Sequence, residues 1–163
     1  MSTKRDPGSA AARARPLEEA PDYESLARFR FAIRQFLSYS DSVANAVGIT
    51  SQQYQVMLCI KVRQRAEASL KQIAEDMLLL PHGAVQLVNR LETMKLVRRR
   101  KSAVDGRMVL VSLTSKGRDI LSRLAKDHAV ELGRHEPLLA DCLQQLRGMP
   151  VSGSAPAETL SLT

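Results

Sequence analysis

The chain has 163 residues, a formal charge of +7 and two cysteines, a length that makes one ordinary domain with a real core. No run approaches the roughly 20 apolar residues that span a bilayer, and the polar, alanine-rich start MSTKRDPGSAAARARP has no signal-peptide core. Cys59 and Cys142 stand in apolar helical patterns without a CxxC spacing, so buried, reduced thiols in a cytoplasmic protein are expected.

The charge is unevenly placed. Pro81 to Gly117 holds eight basic and two acidic residues, whereas Met1 to Tyr23 is balanced at four of each. A local positive field suits a polyanion, with nucleic acid ahead of an anionic membrane and a solvated basic face as the plainer alternative. No nucleophile elbow, phosphate loop, metalloprotease helix or carboxylate pair is present, so neither catalysis nor a cofactor is expected.

Residues 1–22 combine Pro7, Gly8, Pro16 and Pro21 with mixed charge and read as a disordered arm. Leu26, Phe29, Ile33, Phe36, Leu37, Ser40, Val43 and Val47 then recur every three or four residues, giving a long amphipathic helix that stops near Gly48. Thr50 and Gln53 have capping-box spacing at the start of a second helix, with Tyr54, Met57, Leu58 and Val62 facing the core. Ser69 and Gln72 repeat that spacing and open a third helix, Leu70 to about Leu79. Pro81 fits the first turn of a fourth, which runs to about Lys95. On the fourth helix Ala84, Leu87, Val88 and Leu91 form an inward stripe, which turns His82, Gln86, Asn89, Arg90 and Thr93 outward.

From Val97 to Thr114 two short runs with strand character flank Asp105-Gly106, a dipeptide that favours tight hairpins by tolerating positive φ. The first run carries Arg98, Arg99, Arg100 and Lys101, and the tip carries Arg107. Thr114-Ser115-Lys116-Gly117 opens a fifth helix that Gly133 and Pro137 interrupt. A last segment places Leu138, Leu139, Cys142, Leu143 and Leu146 on one face, and residues 148–163 read as a flexible tail. The pattern predicts a mainly α protein with a small β-hairpin wing, a winged helix-turn-helix over residues 23–147. The first and last helices are apolar and are expected to dimerise it against the same helices of a second copy, with packing on their own domain as the alternative.

A short helix, a tight turn and a second helix suit the major groove, where Gln and Asn can bond adenine bidentately and Arg can read guanine or grip phosphate. An ordinary polar helix face is the bland alternative. Backbone amides near Ser69 to Lys71 are a further place for a phosphate.

The segment LKQIAEDMLLLPHGAVQLVNRLETMKLVRRR, followed by DGR and VSLTSKGR, resembles the multiple-antibiotic-resistance regulator (MarR) family of dimeric winged-helix transcription regulators. The likeness covers roughly Tyr23 to Arg147. It implies a homodimeric repressor of a pseudo-palindromic promoter site, released by a small, often aromatic or phenolic, ligand. DNA contacts would come from Ser69, Lys71, His82, Gln86, Asn89, Arg90, Arg99, Lys101, Asp105 and Arg107. Among them, Arg107 is similar to the wing arginine placed in the minor groove, and Asp105 to an aspartate that orients an arginine. Gly83 and Val85 depart from the small hydroxyl residues often found early in that helix, which leaves room for a protein-interaction or ligand-binding module without sequence-specific DNA binding. A ligand pocket would draw on Phe29, Arg30, Phe36, Tyr39, Tyr54 and Arg63. Relatives that sense peroxide carry a cysteine near the start of the first helix, which is absent here. His128, Glu131 and His135 have metal-ligand spacing, but the expected break at Gly133 and Pro137 argues against zinc.

Overall fold

The computed structural model describes residues 22–147; the arm, apart from Asp22, and the tail lie outside the described residues. The elements are α1 (Tyr23–Ala46), α2 (Ser51–Val62), a 3-10 turn (Gln64–Ala66), β1 (Glu67–Ser69), α3 (Leu70–Asp76), α4 (Pro81–Thr93), β2 (Val97–Lys101), β3 (Val109–Leu113) and α5 (Ser115–Arg147). Local chemistry sets most boundaries. Gly48, at φ +81°, ends α1 in the left-handed conformation that glycine takes without a Cβ penalty. Both capping boxes form as expected, Thr50 with Gln53 and Ser69 with Gln72. Pro81 occupies the first turn of α4, where its missing N–H costs nothing.

The core lies where α2, α3, α4 and the sheet converge: Val56, Met57, Ile60, Ile73, Val88, Leu91, Leu96 and Val111 are fully buried. Leu121 and Leu124 of α5 close it from the far side. Val62, expected in this core, is 64% exposed at the last residue of α2. No described helix is long and apolar enough to cross a membrane.

Four further expectations are corrected. The sheet has three strands in the order β1-β3-β2, because Glu67, Ala68 and Ser69 pair antiparallel with Ser112, Val111 and Leu110. The third helix ends at Asp76 rather than Leu79, and Leu78 turns the chain at φ +51°. The wing is no tight hairpin: Ser102 to Met108 separate the strands, and Gly106 does not adopt positive φ. The Asp105 side chain instead accepts the Arg107 N–H (2.9 Å) and the Asp105 carbonyl accepts the Met108 N–H (2.9 Å), an Asx-type turn that needs no left-handed residue.

The fourth correction is that α5 runs unbroken through Gly133 and Pro137. Proline removes one N–H and leaves the carbonyl four residues earlier without its donor; here that carbonyl belongs to exposed Gly133, where water reaches it. Contacts to α1 on both sides of the proline keep the helix continuous. Tyr39 Oη donates to the Asp127 carbonyl (3.5 Å), His128 Nε2 meets Ser40 Oγ (2.8 Å), Arg28 pairs with Asp141 (3.3 Å) and Ser25 donates to Gln145.

The first turn of α5 lies against the end of the α4 unit. The Thr114 N–H and hydroxyl both donate to the Leu96 carbonyl, at 3.0 and 3.2 Å, and a Cβ on Gly117 would sit 2.1 Å from that same oxygen. Gly117→Ala is expected to destabilise the fold by about 1–3 kcal/mol, read as a lower urea midpoint; an unchanged midpoint would show that this approach is not fixed.

Candidate nucleic-acid interface

The helix-turn-helix is α3, the turn through Leu78, and α4. The inward stripe is as expected, with Ala84, Leu87, Val88 and Leu91 buried. Its spacing leaves His82, Gln86, Asn89, Arg90 and Thr93 exposed on the opposite face. His82, Gln86 and Arg90 have no side-chain partner among the described residues. The Cβ that Gly83 lacks would make only ordinary contact with Leu79, at 3.7 Å.

The wing is ordered from within. Ser102 is buried, and its hydroxyl accepts the N–H groups of Val104 (3.2 Å) and Asp105 (3.3 Å), while its own N–H bonds the Met108 carbonyl (2.8 Å). This leaves Arg107 exposed at the tip, its guanidinium without a partner among the described residues. Lys101 is likewise exposed with a free ammonium. The Asp105 carboxylate takes the Arg107 backbone N–H, so it shapes the turn through the main chain.

The other wing cations are engaged inside the protein. Arg98 Nε donates to Ser112 Oγ (3.3 Å). Arg99 reaches back to α4, donating to Glu92 Oε2 (2.8 Å) and Asn89 Oδ1 (2.7 Å). Arg100 grips Glu67 of β1 with both ends of its fork, Nε to Oε1 at 2.7 Å and Nη2 to Oε2. Hydrogen bonds from Arg100 hold the Glu67 carboxyl below its ordinary range. Ser69, expected among the contact residues, is buried, and its hydroxyl accepts the Gln72 N–H as the cap of α3 (3.2 Å). Lys71 is exposed in that helix's first turn, 3.8 Å from Glu75.

The residues expected to line a ligand pocket separate into three places. Phe36, Tyr39 and Tyr54 gather around His128: Tyr54 stacks on its ring at 4.3 Å, and Phe36 and Tyr39 meet it edge-on at 5.9 and 6.2 Å. Beside them a cleft of about 310 Å³ is lined by Phe36, Ser40, Tyr54, Leu58, His128 and Leu132, among others. Phe29 is half-buried and Arg30 exposed, and neither lines the cleft. Arg63 pairs with Asp76 and borders a separate hollow between β1, α3 and the wing.

The sequence pattern offers His128 only as a metal ligand, although its place seven residues beyond Leu121 and four beyond Leu124, on one helical stripe, marks it as core. Its Nδ1 bonds the Leu124 carbonyl at 2.7 Å. Glu131 pairs with His135 at 3.1 Å, and among the described residues no cluster of three His, Cys, Asp or Glu could hold a metal. Both cysteines are buried; burial, with the Asp76 charge, pushes the Cys59 thiol up and disfavours its thiolate.

A helix-turn-helix followed at once by a basic antiparallel wing defines a winged-helix protein. The family model described as "Transcriptional regulator SarA/Rot" matches residues 38–124. The chain belongs to that family, within the MarR-type winged-helix DNA-binding transcription regulators. It is 25% identical to the HTH-type transcriptional regulator MhqR of Bacillus subtilis over 121 residues, which cover 72% of this chain and 82% of that one. The crystal structure of transcriptional regulator PA4135 is 30% identical and aligns over 78% of this chain and 95% of its own, with a TM-score of 0.58. Sco3205, a MarR family transcriptional regulator from Streptomyces coelicolor solved in complex with DNA, shares the fold at 17% identity. Its TM-score is 0.60, over 75% of this chain and 82% of its own.

The Glu67–Arg100 pair carries a pH dependence of definite sign. A carboxyl whose folded pKa is lowered stabilises the fold above its ordinary value of 4.5, and that contribution is lost as pH falls through the lowered folded value. Glu67→Gln is expected to lower the urea midpoint slightly at neutral pH and to match the unsubstituted protein in strong acid. A gap that persists in acid would assign the effect to packing.

Proposed function

We propose that this regulator is a cytoplasmic homodimer that represses a promoter by binding a pseudo-palindromic duplex, with α4 of each subunit in the major groove and the wing tip over the adjacent minor groove. The observation that carries the reading is the shared exposure of Gln86 and Arg90 on α4 and Arg107 on the wing, with side chains unpartnered among the described residues. His82 and Asn89 belong to the same reading face, and Lys71 and Lys101 serve as phosphate grips. Ser69, Arg99 and Asp105 support it from behind, by capping α3, holding α4 to the wing and shaping the wing turn. The DNA complex of Sco3205 supports the docking mode through the common fold. Two half-sites about one helical turn apart follow from a two-fold dimer.

Dimerisation is supported by apolar side chains left in solvent on both terminal helices: Tyr23, Phe31 and Leu37 of α1 are 71, 52 and 53% exposed, and Leu143 of α5 is 43% exposed. The same surfaces on a second copy bury them by isologous helix packing. The cleft beside His128 is the candidate effector site. Its walls combine apolar and aromatic side chains with the polar Ser40, Ser51, Gln52, Gln55 and His128, a lining that suits a small aromatic or phenolic molecule with hydrogen-bonding groups. An effector that binds the DNA-incompetent spacing of the dimer better lowers operator affinity by population shift.

Fluorescence anisotropy against duplex DNA from upstream of the chain's own gene, beside a scrambled duplex and across a salt series, tests the reading. Sequence-preferring binding with a steep salt slope is expected; weak, equal binding to both duplexes favours an interaction module. Arg107→Ala should weaken specific binding by about 1–3 kcal/mol, and unchanged affinity would remove the wing from the interface. Leu143→Arg with Leu146→Arg should sediment as a monomer; a persisting dimer would place the interface elsewhere.

A further inference from the structure

We propose that Arg99 fixes the amide of Asn89, its carbonyl turned toward the wing, so that α4 presents the N–H donors to the base it meets, making Asn89 a reader of guanine rather than adenine. The inference rests on α4 reading DNA and adds which base Asn89 selects and which residue makes it do so.

An asparagine amide is nearly symmetric in shape, and its two ends exchange by a half-turn about χ2. On an exposed helix face it can therefore offer either end, and the usual bidentate contact to adenine uses both: the carbonyl accepts from N6 and the amide donates to N7. Asn89 lacks that freedom. Arg99 lies 2.7 Å from Oδ1, and a guanidinium has donors only, so the carbonyl must face it. The same guanidinium donates to Glu92 Oε2 at 2.8 Å, one turn further along α4, and its side chain is only 25% exposed. The two bonds form a fork anchored on β2, and a planar fork holds its orientation better than a point charge. The Asn89 Nδ2 group has no partner among the described residues, and the residue is exposed. The Asn89 backbone carbonyl is engaged separately by Thr93 Oγ1 at 3.0 Å, so that hydroxyl does not compete for the amide.

In the major groove guanine alone presents two acceptors side by side, N7 and O6. A fixed amide nitrogen with two hydrogens matches that edge. Adenine puts an amino donor where guanine has O6, which meets the Asn89 N–H with another donor. Arg99 is thus a positioning residue, since it acts on the base through Asn89.

The test is a binding selection from duplexes randomised across the half-site, run on the full chain and on Asn89→Ala, Asn89→Asp and Arg99→Lys, with thermal melts alongside. The unsubstituted chain is expected to prefer guanine at one position that Asn89→Ala relaxes by on the order of tenfold, other positions being unchanged. Asn89→Asp keeps a partner for Arg99 but has no donor, so it should lose the guanine preference while melting no lower. Arg99→Lys, a single point charge near Glu92, should let adenine in at the same position. A purely structural Arg99 would lower the melt without altering base preference, and that result overturns the proposal. So does adenine at the Asn89-dependent position, or the lack of any such position. A chain that binds no duplex at all overturns the DNA reading itself, an outcome separable from these because selection then enriches nothing.

Discussion

The joint between Leu96 and the first turn of α5 governs what the rest of the molecule can present. Leu96 follows Lys95, which turns the chain at φ +60° as α4 ends, and it leads directly into β2. Its carbonyl receives two bonds from Thr114, whose hydroxyl also reaches the Lys95 carbonyl at 2.8 Å and accepts the Gly117 N–H at 3.0 Å. Lys116 adds a bond to the Met94 carbonyl at 3.3 Å. The end of α4, the base of the wing and the start of α5 are therefore one hydrogen-bonded knot, closed because residue 117 has no Cβ to keep the helix away. Any tilt of α5 relative to the rest of the domain is carried to α4 and the wing together. In the dimer proposed above, this knot is what joins each helix-turn-helix to the dimerising α5.

Local chemistry made much of this legible from sequence. Capping boxes at Thr50/Gln53 and Ser69/Gln72, the proline at the head of α4 and the glycine after α1 each act within four residues, and each formed as their spacing required. The features that escaped are those made by distant partners. The residues Glu67-Ala68-Ser69 have no strand pattern of their own; they become β1 because β3 offers an unpaired edge 43 residues further on. Gly133 and Pro137 carry every local mark of a helix end, yet bonds from α1 to both sides of the proline outweigh one missing N–H. The wing turn failed for a subtler reason. Asp-Gly can close a two-residue turn, but here the aspartate side chain and a buried serine build a longer loop in which glycine's special freedom goes unused.

The interface divides in the same way. Which residues face out of α4 follows from the 3.6-residue period, and the stripe of Ala84, Leu87, Val88 and Leu91 settles it. Which wing cations remain free does not follow from any local pattern. Arg98, Arg99, Arg100 and Lys101 look alike in sequence, but alternation along β2 and the position of its neighbours send Arg99 to α4, Arg100 to β1 and Arg98 to Ser112. A run of basic residues is thus partly framework and partly free surface. Similarly, Phe36, Tyr39 and Tyr54 are recognisable as aromatic candidates, whereas the histidine that gathers them comes from a helix 74 to 92 residues further along the chain.

That sorting bears on how the positive field acts. Arg99 and Arg100 sit against Glu92 and Glu67, so the nearby field of each cation is largely cancelled by its partner. Among the described residues of this segment, the cations left without a partner are Arg90 on α4, Lys95 just after it, Lys101 at the end of β2 and Arg107 at the wing tip. A free cation can release counterions from a phosphate, and a paired one has little left to release, so the steepness of salt dependence should follow these few residues rather than the basic total. The paired arginines do different work: they tie the wing to β1 and α4, and that tie gives a wing-tip guanidinium and a helix amide fixed positions relative to each other. Charge in this segment therefore divides between cations left free for a polyanion and cations spent on holding the wing and α4 in place.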